Sequence, residues 1–289
     1  MGDRWAQWLL DRRFGGDPAA RERMLPGLME FRDRVLAGAM IAAGDVVLDV
    51  GCGDGLLGVG ALETADPQGG PARVIFSDIS LDLLRQCRDT IDDPRAEFVH
   101  TGLPELEGIE PESIDVAMTR SVLIYVADKA SSFASLRRVL RPGGRLSIFE
   151  PINRFCHPAP PQQLWGYDIT GMEELGAKAN AAAQRHDAVL GPMLDFDERD
   201  LLALAERAGF SEVRLEYRAE IALRRNECRW EEWLRHAPNP LVPTFGEILD
   251  EALTPAERKA LAEHIEARRV APDGLAVSRS AVAYLTARA

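Results

Sequence analysis

Apolar and polar positions come in blocks along this chain, and the period changes from block to block. Val46, Val47, Leu48 and Val50 form an apolar run interrupted only by Asp49. A run with no polar face is expected of a strand covered on both sides in a parallel sheet. Gly51, Gly53 and Gly55 follow at alternate positions, then Leu56, Leu57, Val59 and Leu62 at helical spacing. Strand, glycine turn and helix in this order aim the first N–H groups of the helix at whatever lies beyond the strand end.

The same succession recurs downstream. The pattern predicts a second strand over 72–76, which ends in Ser77-Asp78-Ile79-Ser80, with Ser80 capping a helix over 81–90. Strands over 96–99 and 113–119 come next, then an amphipathic helix over 132–140 with Phe133, Leu136 and Leu140 on one side. A Pro142-Gly143-Gly144 turn leads into a fifth strand over 146–149, which ends in Glu150-Pro151. Asp197 caps a helix over 198–208 that stops at Gly209, and Val213, Leu215 and Tyr217 alternate in a sixth strand. A final strand is expected over 280–285. Strands alternating with helices predict an α/β fold with a doubly wound, mostly parallel sheet.

Three stretches lie outside this alternation. Trp5, Trp8, Leu9 and Leu10 suggest a short amphipathic helix, ended by Gly15-Gly16-Asp17-Pro18. A second helical region is expected over 18–42, broken near Pro26, so that 1–42 reads as an N-terminal helical cap. Residues 152–193 begin with a proline-rich run and read as a lid insertion. Residues 226–273 read as a helical insertion before the last strand, with Trp230, Trp233 and Leu234 at helical spacing and a capping box at Thr254-Pro255-Ala256-Glu257.

Bulk composition narrows the partners. The chain has 289 residues and a formal net charge of −12. Such a balance argues against nucleic acid or an anionic membrane as the main partner, although Arg224, Arg225 and Arg229 make a local basic cluster. Cys52, Cys87, Cys156 and Cys228 show no metal-binding spacing, so no metal site is expected. The charged start lacks a signal-peptide core and no apolar run has spanning length, so a reduced, cytoplasmic protein is the expectation.

The candidate chemistry sits at the strand ends. Glycine-rich turns of this kind serve adenosine ligands in general, or no ligand at all. Asp78, at the end of the second strand, is placed to accept both ribose hydroxyls of an adenosine, of NAD as well as of other cofactors. The spacing Gly-x-Gly-x-Gly after Asp49 differs from the dinucleotide fingerprint Gly-x-Gly-x-x-Gly. With Ile114-Asp115-Val116-Ala117 and the string Leu140-Arg141-Pro142-Gly143-Gly144-Arg145-Leu146, it resembles the motifs of class I, Rossmann-like S-adenosylmethionine-dependent methyltransferases, over about 46–151.

The resemblance implies a seven-stranded sheet with an antiparallel last strand, plus N-terminal and lid helices. It implies S-adenosyl-L-methionine as cofactor and Asp49, Gly51, Cys52, Gly53, Asp78, Ile79, Thr101, Gly102, Thr119 and Arg120 as cofactor-binding positions. The family commonly has an aspartate after its third strand; here His100-Thr101-Gly102 stands in its place. It further implies methyl transfer to a small-molecule acceptor, with Arg154, His157, Trp165 and Tyr167 of the lid as acceptor contacts. His157, Arg120 and Tyr125 are the candidates for a base or orienting group, with His100 and Tyr167 behind them. Glu150 lacks partners for a divalent-metal site. Cys156 and Cys228, after strands five and six, would suit thiolate chemistry of the arsenite-methyltransferase kind but match nothing else of it. An NAD(P)-dependent oxidoreductase and a non-catalytic binding protein are the competing readings.

Overall fold

The computed structural model describes residues 3–64, 69–185, 187–225, 229–271 and 274–289. Seven strands form one sheet: β1 (Val46–Val50), β2 (Arg73–Asp78), β3 (Ala96–His100), β4 (Ile114–Arg120), β5 (Leu140–Pro151), β8 (Ser211–Arg224) and β9 (Ala276–Arg288). The spatial order is β3-β2-β1-β4-β5-β9-β8. Strands β6 (Gln163–Leu164) and β7 (Tyr167–Asp168) make a separate small hairpin. Within the sheet β9 alone runs against its neighbours, pairing antiparallel to β5 and to β8. The doubly wound sheet with an antiparallel last strand is therefore present. Strand order reverses between β1 and β4, which opens a crevice beyond their carboxyl ends.

The apolar run at 46–50 becomes a central strand because it has cover on both sides. Leu48 and Val50 pack toward Ile75, Phe133, Leu136 and Ile148, while Val47 packs toward Val35, Leu57, Phe76 and Met118. Helix Pro18–Ala39 covers the second of these faces. It passes through Pro26 unbroken, against the expectation of a break. The carbonyl that Pro26 cannot bond belongs to exposed Glu22, where water can serve it. The helix stops at Met40, whose φ of 47° is left-handed.

Two strands are longer than their patterns indicated. β5 begins at Leu140, and the Pro-Gly-Gly segment is a bulge inside it: Ile114 pairs with Leu140, but Val116 pairs with Arg145. β8 continues to Arg224, and β9 begins at Ala276 to match it. The extension carries exposed Ile221 and Leu223, so ladder hydrogen bonds rather than a buried face hold it. Period-2 burial, the signal by which strands are read, is absent there.

The two insertions fold together. Leu164, Tyr167, Ile169 and Ala179 of the first share a core with Trp230, Leu249, Leu261 and Ile265 of the second. The core draws on helices Glu173–Gln184, Phe245–Ala252 and Pro255–Val270. No helix of the described residues is long and apolar enough to cross a membrane.

Glu150, at the end of β5, is fully buried. Its Oε1 accepts the backbone N–H groups of Val122 and Leu123, each at 2.9 Å, and Oε2 accepts that of Ile124 at 3.3 Å. This one carboxylate shapes the turn that leaves β4. Glu150→Ala should lower the unfolding free energy by about 3 kcal/mol, since each orphaned buried donor costs roughly 1–3 kcal/mol and entering water relieves part of the sum. Glu150→Gln, which keeps one acceptor oxygen, should lose less. Urea denaturation of both variants measures this, and an alanine variant as stable as the parent protein would refute the anchoring role.

Candidate functional site

Beyond β1 the chain turns through Gly51, Gly53 and Gly55, with φ of 68°, 58° and 88°. At Gly51 a Cβ would lie 2.4 Å from Val122 Cγ2, so a side chain is excluded by space as well as by φ. The Gly51 and Cys52 N–H groups both donate to the Ser77 carbonyl, at 2.8 and 2.9 Å. Asp78 Oδ2 accepts the Gly53 N–H at 2.9 Å and Oδ1 accepts the Ser80 N–H at 2.8 Å. The Asp78 carboxylate thereby fixes the loop and the next helix, and each oxygen keeps a second lone pair for a ligand. Asp49 Oδ2 accepts the Gly58 N–H at 2.8 Å, tying β1 to the first turn of its own helix.

A cavity of about 940 Å³ opens over this edge. Of the expected cofactor positions, Asp49, Gly51, Cys52, Gly53, Asp78, Ile79, Gly102 and Arg120 line it. Thr101 and Thr119 do not; both are buried, and Thr119 is enclosed between β1 and β5. Where the resemblance implied an acid after the third strand, the wall is made by Gly102, Leu103 and Pro104. His100 is exposed, with Nε2 3.1 Å from the Ile79 carbonyl.

The far end of the cavity departs from expectation. Among the described residues of 152–193 only Asn153 and Met193 reach its wall. Tyr167 is buried in the helical core, edge-on to Trp230 and Trp233, and Trp165 packs on Phe245 with ring centroids 4.5 Å apart. Arg154 faces Asp197 at 3.6 Å, and exposed His157 approaches the Asn153 carbonyl with Nδ1 at 3.1 Å. Arg154, His157, Trp165 and Tyr167, expected as acceptor contacts, therefore lie off the wall of this cavity. After β5 the chain turns away through the short helix Asn153–Cys156, and the segment spends its aromatics on packing against the second insertion. Cys156 is off the wall, its Sγ 3.3 Å from the Arg279 carbonyl, and Cys228 lies outside the described residues.

The roof comes instead from the N-terminal cap and the second insertion. Trp5, Trp8, Arg13 and Phe14 line the cavity together with Trp233, His236 and Phe245. The helix Arg4–Gln7 runs on into a wider turn, Trp8–Arg12. Trp8 Nε1 donates to the Ala237 carbonyl at 2.9 Å, the Ala237 N–H donates to Arg12 O at 3.0 Å, and Arg12 pairs with Glu247 at 2.6 Å. At the other end Ser80 Oγ donates to Asp3 Oδ2 at 2.6 Å, which pins the cap to the Asp78 loop. None of these roof residues followed from local pattern, because Trp5 and Trp8 read equally well as packing residues and His236 stands in no motif. The basic cluster divides: Arg224 pairs with Glu220 and Arg229 with Glu232, while Arg225 reaches the cavity wall.

Burial sets the protonation of the wall. It holds the Tyr125 phenol far above its ordinary range, so the hydroxyl stays protonated; the ring lies edge-on to Trp5 at 5.0 Å. It lowers His236, which remains neutral near pH 7. Arg13 is pulled down to about 10 by burial and by the neighbouring Arg120, and Arg120 is lowered by burial. Asp49 is pushed up to about 7 by burial, which outweighs the Gly58 N–H, and Glu150 rises to about 7 by burial against its three donors.

Parts of this chain are similar to known proteins. Residues 47–144 match the family model described as a methyltransferase domain. An uncharacterized 37.1 kDa protein in a transposon of Streptomyces fradiae is 43% identical over 37% of this chain and 30% of its own length. A ubiquinone/menaquinone biosynthesis C-methyltransferase of Hahella chejuensis is 28% identical over 58% of this chain and 68% of its own. This chain thus spans about a third of one relative and two thirds of the other. The solved structure of Haemonchus contortus phosphoethanolamine N-methyltransferase 2 with S-adenosyl-L-methionine superposes with a TM-score of 0.51, at 15% identity, over 98% of this chain and 56% of that one, a likeness of fold. The match over residues 47–144 is to a methyltransferase domain, and the likeness to the solved structure is one of fold.

Between pH 4 and 7 native Asp49 holds a proton that the unfolded chain has already released. Its contribution to stability is therefore largest below that window, declines as pH rises through it and is level above. Asp49→Asn should flatten the corresponding part of the slope in unfolding midpoint between pH 5 and 8. A slope unchanged by the substitution would contradict the raised pKa.

Proposed function

We propose that the protein transfers a methyl group from S-adenosylmethionine to a small-molecule acceptor held beneath the N-terminal cap. The observation that carries this reading is the continuity of one cavity from the Asp49–Gly55 turn and Asp78 to an aromatic chamber. Its volume of about 940 Å³ stands at the upper end of small-molecule pockets, roughly 300–1,000 Å³, and leaves room for two ligands side by side. The residues present fit the cofactor: Gly51 and Gly53 put bare backbone on the wall, and Asp78 offers its free lone pairs to ribose hydroxyls. When bound, the cofactor supplies a methyl group activated on a sulfonium.

The protein's part is to hold the acceptor in line and keep water out. Trp5, Trp8, Phe14 and Trp233 exclude water by covering the chamber. Tyr125, held protonated, donates a hydrogen bond to orient the acceptor. His236, neutral near pH 7 and on the wall, takes a proton where the acceptor must lose one. It replaces His157 in that role. A cytoplasmic setting suits the unpaired Cys52, Cys87 and Cys156.

Calorimetry should show one site for S-adenosylhomocysteine, and Asp78→Ala should weaken it by at least about tenfold, the loss of roughly 1.5–3 kcal/mol expected for hydrogen bonds to a charged group. Labelled S-adenosylmethionine incubated with a fractionated extract should yield a labelled product of low mass. Well-folded protein that binds neither S-adenosylmethionine nor S-adenosylhomocysteine would refute the reading; label confined to protein or RNA would refute the small acceptor.

A further inference from the structure

Two guanidinium groups face the chamber without a direct ion pair, and Asp54 on the same wall acts on both from a distance. Arg13 and Arg120 both line the cavity and lie close enough for each to feel the other's charge. Among the described residues, no side chain or carbonyl forms an ion pair or hydrogen bond with either guanidinium; Arg13 has only the rings of Trp8 and Phe14, each with its centroid 5.2 Å away. The acids within electrostatic reach make no direct contact with either guanidinium and have other partners of their own. Asp54 faces Arg21 at 3.6 Å, Asp49 accepts the Gly58 N–H, and Glu150 accepts three backbone N–H groups. Two half-buried like charges without direct partners are costly, and a ligand that brings anions to them relieves that cost.

S-adenosylmethionine brings one carboxylate, accompanied by an ammonium and a sulfonium. It can neutralise one guanidinium while adding net positive charge to the cavity. The charges felt by each arginine divide the roles. Arg120 stands at the end of β4 within the field of Asp49 and Glu150, beside the glycine turn, whereas Arg13 hangs from the cap among aromatic rings and feels neither of those acids. Arg120 therefore suits the methionyl carboxylate, and Arg13 is left over.

We propose that Arg13 binds a carboxylate on the acceptor, so that the substrate is a small aromatic acid whose ring lies among Trp5, Trp8, Phe14, Trp233 and Phe245. The proposal rests on the methyltransferase reading and adds the substrate's charge and shape to it. The planar, forked guanidinium suits bidentate recognition of a carboxylate, and the rings of Trp8 and Phe14 limit its orientations. A neutral acceptor of the same shape would leave Arg13 buried and unpaired, which gives the site a basis for rejecting it.

The test is calorimetric titration of the full chain, first with S-adenosylhomocysteine, then, saturated with it, with naphthalene-2-carboxylate and with the neutral naphthalene-2-carboxamide. The carboxylate should bind at least about tenfold more tightly than the amide, and the gap should narrow between roughly 20 and 500 mM NaCl as screening grows. This comparison in the unsubstituted protein decides the matter without any variant. Arg13→Gln should abolish the gap while S-adenosylhomocysteine affinity stays within about threefold, and Arg13→Lys should keep part of the gap, having charge without the fork. Equal or absent binding of the two probes by protein that does bind S-adenosylhomocysteine would overturn the proposal alone. So would an Arg13→Gln protein that keeps the gap, or one that loses S-adenosylhomocysteine affinity more than tenfold, which would assign Arg13 to the cofactor. Failure of the unsubstituted protein to bind S-adenosylhomocysteine would overturn the methyltransferase reading and the proposal with it.

Discussion

Three buried carboxylates at the carboxyl edge of the sheet hold the site open. Asp49 binds the Gly58 N–H, Asp78 binds those of Gly53 and Ser80, and Glu150 binds those of Val122, Leu123 and Ile124. Each ends or nearly ends a strand and reaches the turn that follows its own strand or a neighbouring one. Loops that must stay clear of the crevice cannot satisfy their donors by pairing across it, so a side-chain acceptor at the strand end does so instead. The cost of burying these acids shows in their raised pKa values, with Asp49 and Glu150 both near 7. Stability and site shape are thus coupled through the same atoms.

The chamber over that edge is assembled from distant parts of the chain. The cap supplies Trp5, Trp8, Arg13 and Phe14; the second insertion supplies Trp233, His236 and Phe245. Hydrogen bonds from Trp8 to Ala237, from Ala237 back to Arg12, and from Ser80 to Asp3 join the cap to both neighbours. The first insertion supports the second from behind through the core around Tyr167 and Trp230. Its aromatics act on the cavity only indirectly, by fixing where Trp233 and Phe245 stand.

Legibility followed physical range. The strand and helix of 46–63, the caps at Ser80, Asp197 and Thr254, and the glycine turn could be read because each depends on residues within one or two turns of it. The cofactor end of the site came with them, since Asp49, Gly51, Gly53 and Asp78 sit where strand ends must be. Thr101 and Thr119 were misplaced by a lateral step: being on the right strand end does not say which way a side chain turns. The aromatic end of the cavity was harder to read for a stronger reason. His157 and Trp165 stand in a segment of irregular composition, which signals a loop, but loop composition carries no information on what the loop covers.

The sequence by itself determined the alternating α/β order, the class of the sheet and the glycine turn and acids at its carboxyl edge, because hydrophobic period, glycine φ and strand-end acids are local properties. Only the tertiary structure decided that the second insertion joins the N-terminal cap over the cavity, and that Arg13 and Arg120 come together on its wall without a direct ion pair. Those outcomes depend on contacts between residues more than a hundred positions apart, as in Trp8 with Ala237, and no local pattern encodes which distant partner a side chain finds. The glycine-turn end of the cavity was written in short range and the aromatic end in long range, and so the first was legible before the second.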